Sequence, residues 1–156
     1  MTSLAGLIST SFMKKHRFFA SSGISLLAAI IWSGCAKAPT PAANQDLISH
    51  GRYLVHDVAM CVDCHSPRDA KGEFIPGKDL TGTPLGFQPI VPMPWVPTAP
   101  GISGLPEGYT QETLAHYLMT GVRPNNLPPT LPPMPPYRMS EHDALAVAAY
   151  LASISK

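Results

Sequence analysis

Charge is scarce in this chain and carries no bias. Asp, Glu, Lys and Arg make up 13% of the 156 residues, and from Cys35 onward eight basic side chains stand against ten acidic ones. Without a basic stripe, nucleic acid is excluded as the expected partner. The length leaves room for one small domain, no internal repeat is visible, and nothing marks a second domain. Cysteine is rarer still, with three in the chain. No apolar run is long enough to cross a bilayer comfortably; the longest uncharged one, Phe18 to Trp32, falls short. What the sequence has in excess is proline, eighteen of them, and proline is barred from helix interiors and central strands.

The apolar run has a different use. Lys14, Lys15, His16 and Arg17 precede it, and basic-then-apolar order is the mark of an export signal. Met13, directly before the basic patch, is the more natural start, and residues 1–12 add nothing to the signal. The run ends in Ser33-Gly34-Cys35, which resembles the lipobox of bacterial lipoprotein signals, although Trp32 stands at the usual leucine position. An odd cysteine in an exported chain needs an explanation, and acylation of Cys35 supplies one. The expected organisation is therefore an export signal over 1–34, an Ala- and Pro-rich tether over 35–45, and one folded domain over 46–156.

That domain reads as mainly α, with three or more helices. The first spans about Asp46 to His56, with Asn44 or Asp46 as its cap and Leu47, Gly51 and Leu54 on one face. A glycine in that position points to close approach of another backbone. The second runs from Thr110, which can cap it, to Thr120, with Gly121 as a left-handed stop. The third runs from Ser140 to about Ile154, with Asp143 completing an approximate capping box and many alanines that permit close packing. Phe74 to Gly108 and Pro124 to Pro136 are long loops rich in Pro and Gly. Loops this long in so small a domain need something to pack against, and a large apolar cofactor meets that need.

Cys61-Val62-Asp63-Cys64-His65 is C-x-x-C-H, the attachment signature of haem c. Two thiols add across the haem vinyl groups, the spacer sets their separation, and the adjacent histidine falls under the iron. Other readings of the pair fail. A thioredoxin-like motif needs a βαβ context, zinc needs four ligands, and a Cys61–Cys64 disulfide closes a very tight loop. A second axial ligand must come from elsewhere. Met60 is too near Cys61 to reach the other haem face, and Met119 and Met139 have packing roles. Met93 and Met134 both sit in proline-stiffened loops.

From Gly51-Arg52-Tyr53-Leu54 through C-x-x-C-H to Pro133-Met134-Pro135-Pro136-Tyr137 and Ala149-Tyr150-Leu151, the chain resembles class I cytochrome c domains. It is especially similar to those in the cytochrome subunits of bacterial alcohol and aldehyde dehydrogenases, over nearly all of 46–154. The resemblance implies a small cytochrome c fold wrapped around one haem, covalently attached through Cys61 and Cys64. It implies a distal methionine in a proline-rich loop just before the last helix, a position that Met134 matches and Met93 does not. It also implies that the first and last helices cross near a glycine, as Gly51 would allow. In one place the chain departs from the family. After Gly77, Lys78 stands where the proline of Gly-Pro is usual, and a carbonyl within Pro76 to Lys78 is still expected to orient His65. Trp95, Tyr53 and Arg123 are candidate donors to haem propionates, while His50, His56, His116 and His142 are expected at the surface.

The function implied is that of an electron carrier rather than an enzyme. His65 and Met134 would hold the iron while single electrons pass between a dehydrogenase, cytochrome complex or oxidase and an acceptor. The expected place is the periplasmic side of a membrane, with a lipid anchor at Cys35. The alternative is a c-haem enzyme or a gas or redox sensor with an open distal site, which the Pro-Met-Pro loop argues against.

Overall fold

The computed structural model describes residues 40–154. The export signal and Cys35 lie outside the described residues, as does most of the expected tether. Helix α1 spans Pro41–Tyr53, α2 Cys61–His65, α3 Gln111–Thr120 and α4 Glu141–Ser153. Two two-residue strands, β1 (Thr83–Pro84) and β2 (Thr98–Ala99), pair antiparallel with Thr83 opposite Ala99. Long loops account for most of the rest. Among the described residues no helix is long and apolar enough to cross a membrane.

Each long helix starts and stops for a local reason. Thr110 Oγ1 accepts from the Thr113 amide, the Thr113 hydroxyl accepts from the Thr110 amide, and Gly121 ends α3 at φ 78°. Ser140 Oγ accepts from the Asp143 amide at the start of α4. The reciprocal half differs from the expected capping box: the Asp143 carboxylate accepts from the Ser140 hydroxyl, not from its backbone. Helix α1 begins five residues earlier than Asp46. Thr40 caps it and Pro41 fills its first turn, where a fixed φ and a missing N–H cost nothing. The Ala- and Pro-rich composition suggested a tether, but residues 41–45 are helical. At its far end the helix widens into a π-helical turn, Leu54–Val58, closed by the Ala59 amide on the Leu54 carbonyl at 2.7 Å. The turn rotates both Leu54 and Val55 into the core.

The core lies where α1 and α3 pack on α4. Gly51 allows this. A Cβ there would collide with the Ala146 carbonyl and come within 2.8 Å of Tyr150 Cβ. On α4, Ala144, Ala146, Val147, Ala148 and Leu151 are buried against Leu54, Val55, Leu114 and Leu118. One loop residue joins them. Leu80 is fully buried at φ 60°, its amide donating to Ser66 Oγ at 2.8 Å and its carbonyl accepting from Ile102 and Ser103. The left-handed backbone is strained for leucine, and this set of bonds holds it.

Candidate functional site

After the π-helical turn the chain reverses at Met60, which takes a left-handed φ of 50°, and enters α2. This five-residue helix was not foreseen from the sequence. It carries the whole C-x-x-C-H motif, with Cys61 and Cys64 three residues apart and therefore on one face. Both are free thiols. Burial pushes the Cys61 thiol up to about 11, against its own backbone hydrogen bond and Tyr137. A thiol kept protonated is a poor nucleophile and a poor metal ligand, which disfavours a catalytic-cysteine or thiolate-zinc role.

Both cysteines and His65 open onto a cleft of about 900 Å³, within the size range of cofactor sites. Its lining is overwhelmingly apolar: Leu85, Val96 and Ile102 from the first long loop, Leu131 and Pro133 from the second, Leu118 and Leu151 from the helices. Met134 lines the same cleft and Met93 does not; Met93 is exposed. Met60 lines it too, beside Cys61, whereas Met119 and Met139 pack against the core.

His65 is buried, and its Nδ1 bonds the Pro100 carbonyl at 2.7 Å. A carbonyl only accepts, so Nδ1 carries the proton and the lone pair sits on Nε2. Among the described residues no hydrogen bond engages Nε2. Burial lowers the His65 pKa, with the Pro100 bond opposing, so the neutral ring is favoured. The acceptor is a correction to the expected Pro76–Lys78 segment. That stretch is spent on turns, including Lys78 amide to Ile75 carbonyl, while the Gly82 amide bonds the His65 carbonyl and the pairing of Thr83 with Ala99 sets Pro100 beside the ring edge.

Two further contacts frame the cleft. Tyr137 donates to the Ala59 carbonyl at 2.9 Å, tying the end of the Met134 loop to the residue before the α2 turn. Sequence reasoning missed this bond, for its ends lie 78 residues apart. Burial above all pushes the Tyr137 phenol up to about 12, so it stays a donor. Arg123 lines the cleft, with Nε on the Tyr109 hydroxyl at 3.0 Å and Nη1 on the Pro128 carbonyl at 3.0 Å. Of the other two propionate candidates, Tyr53 is exposed and lies outside the cleft lining. Trp95 also lies outside it, but its Nε1 is buried without a partner among the described residues. His116 and His142 are exposed. His50 and His56 are half-buried at the surface and are bonded across the helix crossing, to Asp143 and Tyr150.

Two thiols on one helical face, a neutral imidazole with a free Nε2, a thioether and an apolar wall fit a covalently held haem. The family model described as "Cytochrome c" matches residues 48–155 of the chain. A search of curated proteins finds no match.

Proposed function

The chain belongs to the cytochrome c family and binds haem c covalently, and from that premise we propose how it holds and uses the group. Cys61 and Cys64 would hold the group through thioether bonds, and His65 and Met134 would hold its iron. Haem c supplies a one-electron couple, and thioether ligation favours the ferrous form and raises the potential.

The chain's own residues do the rest. Helix α2 presents both thiols together on one face. The Pro100 carbonyl holds the proton of His65 Nδ1, so Nε2 is aimed and made more basic. Prolines on both sides of Met134 limit how far the weakly held thioether can swing. The apolar lining keeps water out, so little around the iron rearranges when an electron arrives or leaves. The observation that carries this reading is the convergence of the C-x-x-C-H helix and Met134 on one apolar cleft.

We place the protein on the periplasmic side of a bacterial membrane, tethered through an acylated Cys35. Its electron donor is a dehydrogenase on which it docks as a subunit, and a cytochrome complex or oxidase takes the electron. The basic-then-apolar order of residues 14–32 and the resemblance drawn from the sequence motifs support this. Visible spectra of the mature protein and of Met134→Ala, oxidised and reduced, test the ligand set. Covalent haem with a weak far-red ferric band that Met134→Ala abolishes is expected. If the band survives in that variant, Met134 is not the ligand. If the reduced native protein binds carbon monoxide rapidly, the distal site is open and the carrier role falls. Co-purification with a dehydrogenase from detergent-solubilised membranes tests the partner separately.

A further inference from the structure

Away from the cleft, where α1 meets the first turn of α4, three side chains with metal-binding chemistry converge. His50 Nε2 lies 2.7 Å from Asp143 Oδ1, and His142 Nδ1 lies 3.8 Å from the same oxygen. One donor atom from each of the three falls within 4.8 Å of the others. The two imidazole rings are 5.1 Å apart and tilted by 35°. None of the three residues lines the cleft.

We propose that His50, His142 and Asp143 bind a divalent transition cation, zinc in the first instance, and that the bound ion clamps α1 to α4. Tetrahedral ligands of zinc sit about 3.3 Å from one another. Two of the donor spacings, 2.7 and 3.8 Å, bracket that figure and the third is within 4.8 Å, so modest side-chain movements bring three donors around one ion. Two imidazoles and a carboxylate suit zinc and copper and leave a fourth position for water. Magnesium and calcium, which prefer oxygen donors, are disfavoured.

The site is also supported from outside its donors. The Ser140 hydroxyl donates to Asp143 Oδ2 at 2.8 Å, which orients the carboxylate so that Oδ1 faces both imidazoles; the ion would take the place of the His50–Oδ1 hydrogen bond. The Gly51–Ala146 contact, one residue along from His50, fixes the helices and so the donors. Side-chain exposures of 34%, 37% and 72% for His50, Asp143 and His142 leave the site open to ions from solution. A plain His50–Asp143 ion pair would account for two of these residues and gives His142 no part.

Calorimetric titration of the haem-loaded protein with zinc tests this, alongside His142→Gln, His50→Gln and His116→Gln. We expect one equivalent to bind to the native protein and to His116→Gln. His142→Gln and His50→Gln should each weaken it roughly ten-fold or more. Excess zinc should raise the melting temperature of the native protein by a few degrees and leave both weakened variants unmoved. Zinc should also shift the His50 and His142 ring resonances in the reduced, diamagnetic native protein, a readout independent of any variant. No saturable binding up to about 1 mM zinc, binding that survives His142→Gln unchanged, or loss in His116→Gln would overturn the proposal.

Discussion

Where α1 crosses α4, Gly51 brings two backbones so close that the Ala146 carbonyl fills the space a Cβ would need. In the long loops between α2 and α3 and between α3 and α4, the means of holding the chain are quite different. There, single hydrogen bonds pin the backbone at intervals: Val96 to Pro132, Gly104 to Leu151, Met139 to Leu118, and the Leu80 amide to Ser66. Between those pins the loops present apolar side chains to the cleft. The helical region closes its own core. The loop region is finished only by what occupies the cleft, so the two regions should respond differently to the same perturbation.

The strongest way to break that comparison is to prevent attachment. In a Cys61→Ser, Cys64→Ser double variant no thioether can form. Amide exchange should show the long loops losing nearly all protection, while α1 and α4 keep part of theirs. Loops that stay as protected as in the haem-loaded protein would mean that they hold themselves, and the contrast would disappear. The second perturbation strikes the other region. Gly51→Ala forces the α1–α4 crossing apart, at a cost of about 3 kcal/mol and a melting temperature lower by about 10 °C. Denaturation of the haem-loaded variant should show that loss while the far-red ferric band stays in place.

A smaller test sharpens the boundary between the regions. Tyr137→Phe removes the bond to the Ala59 carbonyl, leaving a polar atom short of a partner for about 1 kcal/mol. That bond joins the Met134 loop to the approach of α2, so the effect should reach the cleft. The far-red ferric band of the variant should vanish at a lower pH than in the native protein. Equal pH profiles would make Tyr137 a packing residue alone.

What could be read in the sequence divides along the same line. Thr110, Gly121 and Ser140 announce their helix ends because a cap is a local event, complete within four residues. Gly51 was legible as a close approach because a glycine on an apolar helical face has few other uses. The attachment motif is likewise local. The start of α1 was misread because alanine and proline suit a tether and a helix's first turn equally well, and only Thr40 separates the two. The acceptor for His65 was out of reach for a stronger reason. It is a backbone oxygen 35 residues away, placed by the route of a loop, and its residue type carries no signal. Proline surroundings marked Met93 and Met134 alike and only the resemblance separated them; the place of Met134 in the cleft depends on pins such as Tyr137 to Ala59 that cross the whole domain.

The weakest expected effect belongs to the helix crossing, through its second histidine. His56 Nε2 bonds the Tyr150 hydroxyl at 2.7 Å, with the rings edge to face. Burial lowers its pKa below 6.5, the Arg52 charge adds to that, and Asp79 and Asp57 act against it. A histidine whose folded pKa is depressed takes up its proton more readily in the unfolded chain. Between the unfolded value and the lower folded one, acid therefore favours unfolding, and stability rises with pH across that window. Denaturant midpoints of the haem-loaded protein should fall between pH 7.5 and 5.5. In His56→Gln, whose amide can still reach Tyr150 but does not titrate, the fall should be smaller. An equal fall in both proteins would assign the acid sensitivity to other groups, and His56 would then hold the crossing by its hydrogen bond alone.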